Sequence, residues 1–504
     1  MGIIIKQSFI SSIVSYIGVA LGALNSLYLF PKLIGPEGIG LINVISASAT
    51  LFLPLLQLGF TTSLVKFFPH FRKKSYFTTF VAYGFLAPLI ALIVFALLWP
   101  FTRGIFSFFF EEKAEIIFDN ISYVVPLSGI LVFFGLFESY ARANYKTIVP
   151  AVVRNLIWRL SMTLGVIVVT SDYFGHANLA LVLVWSWLLC LIIIGVYVYV
   201  GTDLKLGWKK DFFSSDKFMS FNSFSGYVIL VALGVRLVQV IDQLMVASLI
   251  DTKAAGVFTT AMYFATLIEI PKRTVMNIVQ PVLVDAFKEN DMQKVNEIYK
   301  KSSLNLLLIG GTIFVLIWVN VFDIFEIIPR KDEFQTGIYV VFFYGLARVI
   351  DLGMGCNHEI IVFSKYYKVN LPLQFLLVGV VMGTNTLLIP EFKITGAALA
   401  TCISVIIYNL LRYWYLKWKL SIQPFSKQTI MVLLILVVYL LIGTYLPVDF
   451  KLINNPIIRS LVNIFVRTII VGVPILITAY FLKLSDVINR VINEILGKIK
   501  SNKQ

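Results

Sequence analysis

Apolar runs long enough to cross a lipid bilayer recur along the whole chain, separated by short polar turns. A helix needs about 20 apolar residues to span the hydrocarbon core, so each run predicts one spanning helix. The pattern predicts fourteen, and they start near Phe9, Gly38, Tyr76, Phe118, Ile148, Asn178, Phe218, Ala254, Leu304, Gly337, Asn370, Thr395, Thr429 and Ser460. The predicted fold class is an all-α polytopic membrane protein with about 14 transmembrane helices.

Composition agrees with this class and excludes several functions. Of the 504 residues, 59% are hydrophobic and 14% are charged, against about 25% charged in soluble domains. The polar interruptions are too short to fold as a soluble catalytic domain. No GxxxxGK[ST] motif is present, so ATP binding of the P-loop kind is excluded. The three cysteines lie in or at the end of apolar runs, and we expect packing roles, without metal or cofactor.

Basic residues are concentrated in one set of alternate loops. Of the 42 lysines and arginines, 26 lie in loops on the same side of the membrane as the N-terminus, and 9 lie in loops on the opposite side. Cytoplasmic loops carry an excess of Lys and Arg, so both termini are predicted to be cytoplasmic. An even number of spans fits this arrangement. The net charge of +15 is therefore explained by topology, and no nucleic-acid partner is expected.

Short segments of the two halves match at nearly one offset. The matching pairs are 33–40 with 249–256, 145–150 with 367–372, and 174–180 with 392–398. Matches in the same order predict an internal repeat. Because six is even, two six-helix lobes would share one orientation and be related by a pseudo-twofold axis along the membrane normal, with two extra C-terminal helices.

The repeat and the charge pattern predict five regions. They are an N-terminal lobe with helices 1–6 (1–203), a cytoplasmic linker (204–217), a C-terminal lobe with helices 7–12 (218–420), helices 13 and 14 (421–482), and a tail (483–504). Apolar residues in the tail recur with helical spacing from Leu484 to Ile499, which predicts an amphipathic helix on the inner membrane surface.

Five charges fall within two predicted helices between residues 217 and 285: Arg236, Asp242, Glu269, Lys272 and Arg273. A charge at the bilayer centre costs about 2.5–3.5 kcal/mol, so five facing lipid would cost about 12–17 kcal/mol. They are therefore predicted to face a polar interior. Helical spacing places Arg236 on one stripe with Gln239 and Gln243, and places Glu269 beside Lys272 or Arg273.

Further charges repeat this pattern. Arg348 and Asp351 are three residues apart on the tenth helix, and Glu138, Arg154 and Arg159 lie near the cytoplasmic ends of helices four and five, where they are candidates for a gate. The alternative for all of them is a structural ion pair between helices, or a long side chain that reaches the interface. The three histidines, His70, His176 and His358, are expected to be ordinary surface residues.

Residues 33–41, with the sequence LIGPEGIGL, and then Leu58-Gly59-Phe60 resemble the opening of Wzx-type polysaccharide flippases. Ile241-Asp242-Gln243 before Gly256 resembles the start of their second half. These proteins belong to the multidrug/oligosaccharidyl-lipid/polysaccharide (MOP) exporter superfamily. The resemblance implies two lobes around a central cavity that opens alternately to each side of a bacterial cytoplasmic (inner) membrane.

The resemblance also implies a substrate and partners. It implies transfer of undecaprenyl-diphosphate-linked oligosaccharide from the inner to the outer leaflet, for assembly of surface polysaccharide such as O-antigen. The expected partners are that lipid-linked oligosaccharide, membrane lipids, and the polysaccharide polymerase and chain-length machinery. Since Arg and Lys bind phosphate strongly in a low dielectric, Arg236, Lys272 and Arg273 are the candidate diphosphate site.

The remaining charges have a second predicted role, and other functions stay open. Asp242, Glu269, Arg348 and Asp351 would balance charge or couple transport to Na⁺ or H⁺. Alternatives within the superfamily are a lipid II flippase, which places arginines on the first two helices, and a multidrug/ion antiporter, which has an acidic residue in the first lobe. A membrane-embedded polymerase or ligase is the alternative of another class, but it needs a sizeable outer loop.

Overall fold

The computed structural model describes residues 2–110, 115–171, 179–202, 204–485, 489 and 493, and in these residues it is helical without a strand. His176, most of the segment 174–180 and most of the tail 483–504 lie outside the described residues. The chain divides into two compact units, Met1–Thr259 and Thr260–Gln504. The division falls inside the helix Thr252–Lys288, so the seventh predicted span, which starts near Phe218, belongs to unit 1. The lobe boundary predicted in the linker 204–217 remains a prediction.

The described residues of unit 1 form eleven α-helices and the beginning of a twelfth. They are α1 (Gly2–Leu24), α2 (Phe30–Leu33), α3 (Gly35–Leu56), α4 (Phe60–Phe71), α5 (Phe77–Phe110), α6 (Glu115–Asn120), α7 (Val124–Ala143), α8 (Ile148–Val152), α9 (Trp158–Val169), α10 (Leu179–Gly201), α11 (Asp216–Leu249) and α12 (Thr252–Lys288). Two π-helical turns, Asn25–Leu29 and Val153–Ile157, join α1 to α2 and α8 to α9.

In unit 2, the part of the chain that the structure describes forms the rest of α12 and eight further helices. They are α13 (Met292–Val319), α14 (Val321–Ile327), α15 (Lys331–Phe334), α16 (Ile338–Gly353), α17 (Asn357–Phe363), α18 (Asn370–Leu420), α19 (Lys427–Tyr445) and α20 (Pro456–Phe481). Its core joins α13 to α16, α19 and α20 through fully buried aliphatic side chains such as Leu306, Leu352, Val432 and Ile475.

Thirteen helical stretches of the described residues are long and apolar enough to cross a membrane. One of them, Tyr367–Leu420, is 54 residues long. Lys393 inside it has φ 53° and ψ −134°, which is not helical, so this stretch is two helices. The predicted all-α architecture with about fourteen spanning helices is confirmed, and the protein is a multi-pass membrane protein.

The second span is broken where its sequence changes. α3 contains Pro54 and ends at Leu56, and α4 begins after Gly59, whose φ is +69°. Only glycine adopts this left-handed conformation without strain. A Cβ on Gly59 would also lie 2.5 Å from the carbonyl oxygen of Ser225 on α11. The glycine therefore both turns the chain and lets α11 approach.

Two glycines that the sequence repeat aligns contact each other in unit 1. A Cβ on Gly256 would lie 2.9 Å from the backbone nitrogen of Gly40, and a Cβ on Gly40 would lie 3.1 Å from the nitrogen of Gly256. Each would also overlap a carbonyl group of the opposite helix, at Pro36 or Thr252. Because glycine has no side chain, α3 and the first turns of α12 can meet backbone to backbone.

The linker between α10 and α11 is anchored to unit 1 by an aromatic cluster. Phe212 is fully buried and lies with its ring centroid 5.5 Å from Phe71 and 5.2 Å from Phe218. Ser225 on α11 donates a hydrogen bond of 2.7 Å to Ser63 on α4 within the same region. The linker predicted from its charges is thus a packed part of the fold.

Candidate functional site

Unit 1 contains a cavity of about 520 Å³ that is lined by four arginines and one glutamate. The charged lining residues are Glu138, Arg142, Arg154, Arg159 and Arg236. Their formal charge is +4 − 1 = +3. Polar and aromatic residues complete the wall, among them Gln57, Asn155, Trp158 and Trp187. A cavity of this size lies within the range of small-molecule sites, which is about 300–1,000 Å³.

The π-helical turn Val153–Ile157 carries two of the lining residues, Arg154 and Asn155. Gly18 on α1 lies against it, since a Cβ on Gly18 would be 2.8 Å from the Cβ of Asn155. Arg159, in the first turn of α9, donates to the carbonyl oxygen of Gly18. Turns of this type occur often at functional sites because they redirect side chains within a helix. Here the π turn and Arg159 both contact Gly18 and so hold α1 against the cavity wall.

The arginines differ in how far their charges are already satisfied. Arg154 forms an ion pair with Glu138, although its side chain is 51% exposed. Arg142 donates a hydrogen bond of 3.1 Å to Ser139. Arg159 uses one amino group on Gly18, while its Nε is buried and has no hydrogen-bond partner among the described residues. A half-buried guanidinium that keeps one donor unpaired is suited to an anionic ligand.

Arg236 reaches the same cavity from α11. It donates a hydrogen bond of 3.1 Å to Gln239, which confirms that these two residues share the predicted stripe. No ion pair of Arg236 occurs in the described residues. The predicted diphosphate residue Arg236 and the predicted gate residues Glu138, Arg154 and Arg159 therefore line one cavity. Sequence spacing missed this grouping because the residues lie on three different helices.

The other predicted diphosphate residues lie in unit 2. The Nζ of Lys272 is 2.5 Å from the carboxylate of Asp351, and Arg348 is 3.4 Å from Glu269. These are two ion pairs between α12 and α16. The expected neighbour of Glu269 on its own helix was Lys272 or Arg273, and the structure instead pairs Glu269 with another helix. Arg273 is exposed.

The ion pair of Lys272 continues into a polar network. Asp351 accepts a hydrogen bond of 3.3 Å from Asn409 on α18, and Asn409 in turn accepts one of 2.7 Å from Asn357 on α17. Asp242, the remaining candidate, is 2% exposed in unit 1. Of the seven predicted binding and coupling residues, Arg236 lines the arginine cavity, and Glu269, Lys272, Arg348 and Asp351 form the two ion pairs of unit 2.

One expectation for a single residue was wrong, and a buried charge was missed. Arg412 on α18 is 5% exposed. His358 was expected to be an ordinary surface histidine, and its Nδ1 lies 3.0 Å from Arg412. Both are polar residues beside an apolar run, and sequence alone does not tell whether such residues face water or a neighbouring helix.

The fold is similar to solved transporters and flippases. The structure "Lipid II flippase MurJ, inward closed conformation" is similar with a TM-score of 0.70 and 15% identity over 92% of this chain and 98% of that chain. An inward-facing multidrug resistance MATE family transporter of the MOP superfamily is similar with a TM-score of 0.63 and 13% identity over 80% and 94%.

A third structure has a title that concerns its pocket. It is described as a MOP superfamily transporter from Pyrococcus furiosus, for which "reverse polarity of binding pocket suggests different function". It is similar with a TM-score of 0.52 and 13% identity, covering 83% of this chain and 93% of that chain. At these identities the likeness shows the fold alone. No curated protein matches the chain.

The helical fold is similar to that of a lipid II flippase and of MATE transporters of the MOP superfamily. The chain itself belongs to the family described as "Polysaccharide biosynthesis protein", whose model matches residues 4–290. The matched part includes all of unit 1 from residue 4, and with it every residue that lines the arginine cavity.

Proposed function

We propose that the protein moves polyprenyl-diphosphate-linked oligosaccharide, undecaprenyl-linked in a bacterium, from the inner to the outer leaflet of the cytoplasmic membrane by alternating access. The observation that carries this proposal is the arginine cavity of unit 1, with its formal charge of +3. A diphosphate that is esterified to a lipid at one end and to a sugar at the other is a compact dianion, and guanidinium groups bind such oxygens through paired hydrogen bonds. Both termini would be cytoplasmic, and the products would serve surface polysaccharide assembly.

Within this proposal, Arg236 and Arg159 bind the diphosphate. Arg236 has no ion-pair partner among the described residues, and Arg159 keeps one buried nitrogen free. Arg154 and Glu138 then act as a gate, because their ion pair must loosen for Arg154 to turn to the ligand. Lys272 is held by Asp351, so its predicted contribution requires a state in which that pair opens.

The cavity charge also weighs against one alternative. A cationic drug would be repelled by a lining of four arginines, and the one acidic residue, Glu138, is already paired with Arg154. A lipid II flippase has the same kind of headgroup, a diphosphate, and differs in the sugar. The arginines here come from α7, the π turn, α9 and α11, whereas those flippases are expected to use the first two helices.

The test is flipping in proteoliposomes that contain a fluorescent polyprenyl-diphosphate disaccharide and an impermeant quencher. Each lost charged hydrogen bond costs about 1.5–3 kcal/mol, so Arg236→Ala and Arg159→Ala should slow flipping by about 10- to 100-fold. Arg236→Lys should keep part of the rate, because the charge remains and the planar fork is lost. Arg459→Ala is the control, since Arg459 is 37% exposed, lies 3.8 Å from Asp449 and is not among the residues that line the cavity.

Two results would contradict the proposal. One is an unchanged flipping rate in both cavity variants at wild-type abundance. The other is transport of a cationic dye by the wild-type protein with no flipping of the diphosphate lipid.

A further inference from the structure

Glu359 of unit 2 is a buried carboxylate with an unused acceptor. It lies in the short helix α17, between the spans Lys331–Gly353 and Tyr367–Leu420. The residue is 8% exposed, and its Oε2 is buried without a hydrogen-bond partner among the described residues. Buried polar groups are nearly always hydrogen-bonded, and an ionised carboxylate without a partner is costly. This atom therefore needs an explanation that the arginine cavity does not supply.

The elements packed around α17 bring both charged and neutral groups toward Glu359. The charged ones are Lys272 on α12, Asp351 on α16 and Arg412 on α18; the neutral ones are Tyr299 on α13, Cys356 and His358 beside Glu359, and Tyr408 on α18. With Glu359 ionised, the four charged groups sum to zero. With Glu359 protonated, they sum to +1.

Both neighbouring cations already have other partners. Lys272 is paired with Asp351 at 2.5 Å. Arg412 donates to Tyr408, and its Nη2 lies 3.0 Å from Asn370 and from His358. Neither cation is hydrogen-bonded to Oε2 of Glu359. The carboxylate thus lies near positive charge without the direct contact that would hold it ionised.

The neutral neighbours do not compete for the titration. Burial and, next, the charge of Arg412 lower the pKa of His358 to about 4, so His358 stays neutral at physiological pH. Burial raises the pKa of the Cys356 thiol to about 12. For Glu359, burial raises the pKa, although the charge of Lys272 opposes this. Since Asp351 is held in its ion pair, Glu359 is the group of this cluster whose charge can change.

We propose that Glu359 is a proton-binding site through which a proton gradient drives the transport cycle. In the step, Oε2 of the carboxylate takes one proton and becomes a carboxylic acid, and later releases the same proton on the other side; no electrons are transferred. A sodium ion fits less well, because hard cations need about six oxygen ligands. No group of three His, Cys, Asp or Glu side chains in the described part of the chain could hold a metal ion.

Protonation of Glu359 raises the charge of the cluster by one, and this change affects Lys272. A cluster with a charge of +1 holds Lys272 less tightly than a neutral one, since Glu359 no longer attracts it. Protonation would then favour the state in which Lys272 leaves Asp351. This link to an anionic substrate rests on the proposed function; the proton site itself does not.

The proton site is tested directly on the full-length protein in lipid by difference infrared spectroscopy. Lowering the pH should produce the carbonyl band of a buried carboxylic acid, and this band should be lost in Glu359→Gln. The matched control is Glu297→Gln, because Glu297 is 61% exposed in a surface pair with Lys301, and this variant should keep the band. A band that persists in Glu359→Gln would overturn the proposal.

A second measurement follows stability against pH. Because the folded pKa of Glu359 is raised, the folded protein binds the proton more tightly than the unfolded chain. Stability should therefore fall as the pH rises from the ordinary glutamate range up to the folded pKa, and Glu359→Gln should reduce this slope. The opposite slope would mean that Glu359 is ionised and stabilising. Stabilisation of the wild type by Na⁺, absent in Glu359→Gln, would make the site a sodium site and also overturn the proposal.

The transport arm separates this inference from the proposed function. An inward proton gradient should accelerate flipping in wild type and in Glu297→Gln, and should have no effect in Glu359→Gln. If flipping occurs and Glu359→Gln responds to the gradient like wild type, the proton site fails and the cargo assignment stands. If the infrared band depends on Glu359 but no diphosphate lipid is flipped, the proton site stands and the cargo assignment fails.

Discussion

The contact between Gly40 and Gly256 gives a stability prediction whose size can be worked from distances. A Cβ on Gly256 would lie 2.6 Å from the carbonyl carbon of Pro36, whereas ordinary contacts begin at 3.4 Å. Both partners are helix backbone, and the Cβ would overlap the carbonyl oxygen of Pro36 even more strongly, so the two helices would have to separate by more than about 0.8 Å. Overpacking of this kind costs about 1–3 kcal/mol. Gly256→Ala and Gly40→Ala should each destabilise unit 1, despite the better helix propensity of alanine.

Gly226 provides the matched control. It lies within α11, and a Cβ there would meet no atom within 4 Å. Gly226→Ala should therefore gain up to about 1 kcal/mol from helix propensity alone. The opposite signs of two Gly→Ala changes on helices of one unit isolate the steric term. The double change at Gly40 and Gly256 should cost less than the sum of the single ones, because the first already separates the helices.

The chain carries its own reporters for the assay. Cys190, Cys356 and Cys402 are all buried and free, so a thiol-reactive dye becomes fluorescent only as the protein unfolds. In thermal scans in detergent, Gly226→Ala should unfold at the highest temperature, wild type at a lower one and Gly40→Ala at the lowest. All scans use one scan rate, because unfolding of such proteins is often irreversible. If Gly40→Ala and Gly256→Ala unfold with wild type, the helices do not meet as described.

Two further predictions concern architecture. Arg467→Ala should reduce protein abundance sharply, because it removes an ion pair of 2.6 Å with Asp323, and breaking a buried pair costs about 3–5 kcal/mol; abundance equal to that of Arg459→Ala would contradict this. For topology, a cysteine at Ser75 should be shielded from an impermeant thiol reagent in intact cells, and a cysteine at Asn454 should be labelled. Asn454 is chosen because its neighbour Asn455 caps α20. The reverse labelling would show the opposite orientation.

The spans could be predicted from sequence, since their signal is local. Apolar runs and their ends give each helix, and Lys393 beside Pro390 marks the break inside the long stretch Tyr367–Leu420. The partners of the buried charges could not be predicted in the same way. Helical spacing places Glu269 and Lys272 on the same face of one helix. It does not tell which other helix packs against that face, and this packing is what pairs the two residues with Arg348 and Asp351.

The arginine cavity illustrates the same limit. The sequence identifies Arg154, Arg159 and Arg236 as charges within or near spans, but whether they meet depends on how the π turn Val153–Ile157, α9 and α11 pack. Phe212 is a comparable case. The two adjacent phenylalanines in the basic linker could have indicated that it packs against the fold, but the linker was assigned from its charges alone, and Phe212 is fully buried. Local chemistry was readable from the sequence, and the assembly of the site was not.

The π turn Val153–Ile157 has a consequence for how this helix tolerates insertions and deletions. Arg154 and Arg159 are five residues apart and both line the cavity, whereas five residues of uniform α-helix would point about 140° apart. The turn takes up one extra residue locally. Deleting Leu156 would leave a spacing of four, which is about 40° in an α-helix, so the two arginines would still face one side. The helix can therefore lose a residue here and keep its binding face, and a deletion in α7 would turn Glu138 away from the cavity.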